Sequence, residues 1–146
     1  MAKRPHRCHR PLVLVMLAPL LLVACTDKTP TGSPIDVTLK DFNITPTEQT
    51  VPAGDVVFHV ANRAPVTHEF VVVRTDLPAD ALPIGPDGLS VNEDWLSSMG
   101  ELDEVTAGDT GVLPLNLPPG RYVFFCNLDG HYLGGMHAVL EVSAGG

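Results

Sequence analysis

Downstream of position 34 the chain is a series of short β-branched and aromatic runs cut apart by proline and glycine, and that punctuation leaves few folds open to it. Ile35, Val37 and Leu39 alternate with polar residues, as one face of a half-buried strand does. Val51-Pro52-Ala53-Gly54-Asp55 reads as a turn into a second β-rich run over 56–61. Asn62-Arg63-Ala64-Pro65 breaks this run, and 69–74 resumes it with a Phe and three consecutive Val. Further strands are predicted at 111–117, at 121–126 after the Pro118-Pro119-Gly120 turn, and at 138–142. Short strands separated by such turns make an antiparallel sandwich or barrel. Residues 75–108 fit this pattern least: Pro78, Pro83 and Pro86 argue for loop, and one short helix is predicted within 91–99 around Trp95 and Leu96. A structureless loop of that length in a compact domain is usually functional.

The amino-terminal end has a different character. Lys3, Arg4, Arg7 and Arg10 precede an apolar run over 11–23 that is short for a membrane-spanning helix, which is the form of a secretory signal. Leu22-Val23-Ala24-Cys25 resembles a bacterial lipobox, with Cys25 as the lipid-bearing first residue after cleavage. A plain cleaved signal fits less well, because Leu22 stands where a small residue is wanted; an uncleaved anchor is the other alternative. The expected organisation is a signal over 1–24, a flexible tether over 25–34 without large apolar side chains, and one domain over 35–146. Two acyl chains hold a protein on a membrane, so an extracytoplasmic, lipid-anchored location is expected. With the leader's four basic residues gone and no acid lost, the formal charge of −8 falls by four to −12. That sign disfavours nucleic acid and favours a cationic protein partner. Six of the acids fall in one stretch, Glu93, Asp94, Glu101, Asp103, Glu104 and Asp109, which reads equally as a solvated surface or as a docking patch.

Loss of Cys8 with the leader and lipidation of Cys25 leave Cys126 as the one remaining thiol. A buried free thiol is one reading, but an unpaired Cys in an exported protein calls for an explanation. Cys126, His131 and Met136 follow one another at intervals of five residues in a glycine-containing loop, and His68 stands far upstream where a fold could return it. Two imidazoles, a thiolate and a weak axial thioether suit copper rather than zinc. His59, His137 and Met99 read as structural residues, with His137 directed away from Met136 by strand alternation.

With these residues in place, 55–73 and 120–142 resemble the two ligand-bearing portions of a cupredoxin, the family of small blue-copper proteins. The resemblance implies an all-β Greek-key sandwich of about eight strands, with the 75–108 loop and short helix as an insertion. It implies one copper ion held by His68, Cys126, His131 and Met136, and an electron port at His131 inside an apolar patch of Leu128, Tyr132 and Leu133. Two positions depart from the common pattern: Glu69 where Asn often follows the upstream His, and His137 where Gly often follows the Met. The expected function is one-electron transfer between redox partners, such as a basic cytochrome, an oxidase or a reductase, by a monomeric non-enzyme. A copper-delivery module is the alternative, although the scarcity of Met and His downstream of Cys25 argues for one closed site. A multicopper enzyme needs more imidazoles than the chain carries there, and a dinuclear centre needs a second Cys in the loop.

Overall fold

The computed structural model describes residues 31–144; the leader, Cys25 and the tether through residue 30 lie outside the described residues. Nine strands run along the described chain: β1 (Ser33–Lys40), β2 (Asn43–Pro46), β3 (Thr50–Pro52), β4 (Gly54–Asn62), β5 (His68–Arg74), β6 (Ser97–Val105), β7 (Thr110–Leu117), β8 (Gly120–Phe125) and β9 (His137–Ser143). They form two sheets, ordered β2-β1-β4-β7 and β3-β9-β8-β5-β6. β1 pairs with β4, and β3 with β9, in parallel; the remaining pairs are antiparallel. β1 begins two residues upstream of Ile35, because Ser33 and Pro34 already lie in register with Val56 and Val57.

Apolar side chains from the facing sheets fill the space between them. Ile35, Val37 and Leu39 of β1 and Val56, Phe58 and Val60 of β4 meet Phe70 and Val72 of β5, Tyr122 and Phe124 of β8, and Leu140 and Val142 of β9. Three rings interlock at the centre, with Phe58, Phe70 and Phe124 separated by 5.2–5.6 Å between centroids, a favourable range for tilted and edge-on pairs. The Tyr122 hydroxyl donates to the carbonyl of Pro118 at 2.6 Å, which pins the turn into β8. This core continues to Cys126 and Met136, so the ends of β8 and β9 deliver both sulfur residues into packed, dry surroundings.

The second sheet is covered on its outer face too. Val71, Val73, Val123, Phe125 and Tyr132 pack there against Leu82 and Val91 of the insertion. That is why 71–73 is an unbroken valine run rather than an alternating one: β5 is buried on both faces. The insertion is shorter than its composition suggests. It holds a single 3-10 turn at Glu93–Trp95, and Ser97–Val105 then joins β5 as an edge strand. Its mostly exposed, acid-rich side chains lack a clear apolar alternation, so the strand is hidden from pattern reading. β2 and β3 are hidden for another reason, being only four and three residues long.

Candidate metal centre

Three of the expected donors arrive at one point from three elements. His68 is the first residue of β5, Cys126 follows the last residue of β8, and His131 sits in the loop between β8 and β9. His68 Nδ1 lies 3.2 Å from His131 Nδ1 and 3.8 Å from Cys126 Sγ, and Cys126 Sγ lies 3.3 Å from His131 Nδ1. A point equidistant from the three atoms is about 2 Å from each, close to a metal–imidazole bond length. Among the described residues this is the cluster of His, Cys, Asp or Glu groups close enough to hold an ion together. Three lone-pair donors facing one another without a cationic side chain between them fit a metal, and a soft thiolate with imidazoles fits copper.

The loop is held shut by its own backbone. The Cys126 amide donates to the Met136 carbonyl at 3.1 Å, the Met136 amide to the His131 carbonyl at 3.1 Å, and the His131 amide to the Leu128 carbonyl at 2.9 Å. These bonds tie Met136 beside both Cys126 and His131, and Met136 is fully buried. Gly130 and Gly135, with φ of 78° and 102°, supply the left-handed corners that such a tight path requires. The upstream loop is fastened by the fully buried Asn62. Its amide donates to the carbonyls of Val66 and Val105 at 2.7 and 2.8 Å, and its oxygen accepts from the Ala64 amide at 2.9 Å. Asn127, next to Cys126, exchanges hydrogen bonds with Val91 and donates to Glu93, stapling the insertion to the metal loop.

Burial sets the electrostatics. It holds His68 below the ordinary histidine value, and nearby His131 adds to this while Asp41 opposes it. Burial pushes the Cys126 thiol up, against the pull of the Leu128 and Glu69 amides; the latter donates to Sγ at 3.3 Å. The metal-free site therefore carries a neutral imidazole at His68 and a protonated thiol, and binding must displace the thiol proton. The Nε2 of His68 is buried without a hydrogen-bond partner. Glu69 keeps its amide on the sulfur while its carboxyl is pushed up by burial and then by Glu93, Glu101 and Asp103.

The other candidates fall elsewhere. His137 opens β9 and stacks on Tyr132 at 5.4 Å, His59 is half-buried on β4 in the opposite sheet, and Met99 packs against the core from β6. The expected apolar rim changes composition: Tyr132 is buried, its hydroxyl accepting from the Leu82 amide, while Leu133 is exposed and is joined by Phe42 and Val66. Alternation and spacing gave no sign of Phe42 or Val66, because both lie in turns.

The chain matches the family model for the cupredoxin-like domain over residues 12–139. It belongs to the cupredoxin family. Among solved structures it is similar to the dithionite-reduced auracyanin of Roseiflexus castenholzii, at 23% identity over 77% of this chain and 98% of the other, with a TM-score of 0.60. Auracyanin B gives 23% over 81% and 93%, with a TM-score of 0.58. Auracyanin A of Chloroflexus aurantiacus, described as a "blue" copper protein, gives 23% over 76% and 100%, with a TM-score of 0.55. At this identity the likenesses speak for the shared fold. Curated protein sequences give no match. The cofactor of this cupredoxin is one copper ion, which the converging imidazoles and thiol accommodate.

Proposed function

We propose that this cupredoxin is a one-electron carrier, with His68, Cys126 and His131 as the strong copper ligands, Met136 as the weak axial one, and His131 as the electron port. One observation carries this reading. Of the four residues, His68, Cys126 and Met136 are buried to within 1% and only His131 is partly open to solvent. Bound copper would supply a Cu(II)/Cu(I) couple. The protein's part is to keep the donors fixed. β5 and β8 are paired in register, the loop amides are internally bonded, and the Glu69 amide is directed at the sulfur. A frame with so few free torsions changes little between oxidation states, which favours fast transfer.

The partner is a cationic redox protein outside the cytoplasm, met by a protein tethered through lipid on Cys25. Charge supports this: 17 acids against 9 Lys and Arg, with the carboxyls of Glu69 and Glu101 pushed up by burial and then by neighbouring Glu93 and Asp103. Trp95, 74% exposed beside Glu93 and Asp94, offers an aromatic anchor on the same insertion. A delivery role is the competing reading, and redox cycling in the presence of a Cu(I) chelator separates them. A carrier keeps its metal through repeated reduction and reoxidation; rapid loss on the first reduction rejects the carrier reading in favour of delivery.

A further inference from the structure

Phe42 lies outside the donor set and yet touches it. It occupies the second position of the two-residue turn between β1 and β2, where Lys40 pairs with Asn43. Its φ is 56°, and among the described residues it is the one non-glycine residue in that region, which glycine and asparagine normally take. Burial does not account for the choice, since the side chain is 53% exposed. What the conformation achieves is contact: the ring stands edge-on to the His131 imidazole, with centroids 5.7 Å apart and planes at 69°. The metal loop leaves room for it. A Cβ at Gly134 would lie 2.2 Å from Phe42 Cδ1, so this glycine is required by the ring and not by its own backbone. Phe42 also borders, with Asp41 and Val66, a cavity of about 270 Å³ that reaches both imidazoles.

We propose that Phe42 is a positioning residue for the copper site: held over His131 by a left-handed turn and a side-chain-free Gly134, its ring clamps the most exposed ligand against the metal. Backbone strain is tolerated where the conformation serves a site, and here the site is the one ligand that packing leaves loose. The proposal rests on the copper reading and specifies what keeps His131 in place through a change of oxidation state.

Release of copper from the reduced full-length protein to an excess of Cu(I) chelator tests it. Phe42→Gly gives the turn the residue its geometry favours and so retains the fold. It should release copper about two- to tenfold faster than wild type, the factor that an aromatic contact confers. Phe42→Tyr keeps the ring and should match wild type. Gly134→Ala, whose methyl group meets the ring, should also accelerate release, and combining it with Phe42→Gly should add nothing further. In the reduced, diamagnetic protein the His131 ring proton resonances should move on Phe42→Gly and not on Phe42→Tyr. Equal release rates for Phe42→Gly and wild type would overturn the proposal while leaving the copper site intact. A wild type that never turns blue with Cu(II) would remove the copper reading and this proposal together.

Discussion

Cys126 and His68 are kept uncharged by burial until metal arrives, and their shifts set opposite limits on the stability of the metal-free protein. For His68 the folded value is lowered, so the unfolded chain takes up a proton first as pH falls through 6.5, and stability declines below that point. For Cys126 the folded value is raised, so the unfolded thiol ionises first as pH rises through 9.0, and stability declines above it. The melting temperature of the metal-free protein should therefore peak between these limits, and a profile still rising beyond the upper one would contradict the assignment. Glu69 is a cost at neutral pH, because its carboxyl is pushed up by burial and by neighbouring acids. Glu69→Gln should raise the melting temperature at pH 7 and leave the visible spectrum nearly unchanged, since the sulfur is met by the backbone amide. Met136→Leu should preserve the colour and shift the reduction potential, as expected for a weak axial ligand; loss of the visible band would place Met136 among the strong ligands.

Among the elements, the loops that carry His68 and Cys126 depend on two asparagines. Asn62→Ala strands the buried Ala64 amide and Val105 carbonyl and removes the donor to the part-buried Val66 carbonyl, so it should cost about 1–3 kcal/mol for each buried group left unsatisfied. Chemical denaturation checks this, and a change below about 0.5 kcal/mol, ordinary for a surface site, would show that the loop is held otherwise. Neither asparagine stood out in the sequence, since a single polar residue whose partners are loop backbone groups and, for Asn127, one distant carboxylate leaves no periodic mark. The strands that form the core were legible because they alternate, or because they are apolar throughout: β1, β4, β5, β7, β8 and β9 fall where the pattern placed them, within a residue or two. β6 was not, for its side chains are largely exposed and its edge position asks little of them. Nor did Val71-Val72-Val73 reveal its partner. The run announces burial on both faces, but only the fold shows that the proline-rich insertion supplies the cover. His68, Cys126 and His131 were legible through residue type and spacing, while Phe42 was not, because an aromatic in a hairpin turn looks like an ordinary exposed side chain.

Taken as a whole, the molecule is a sandwich closed at one end around its donors, with an acidic insertion fastened to the metal loop through Asn127. If that surface steers partners, oxidation of the reduced protein by a small cationic metal complex should slow as ionic strength rises, whereas oxidation by an anionic complex should speed up. Charge reversal of Glu93 and Asp94 to Lys should flatten the first dependence, and an unaltered salt profile would move the docking face elsewhere. Whether His68, Cys126 and His131 bind copper together is decided by the electronic spectrum on titration with Cu(II). An intense visible thiolate-to-copper band should saturate at one equivalent, bleach on reduction, and be absent in Cys126→Ser. A colourless or weakly absorbing copper adduct would contradict their joint binding of the metal.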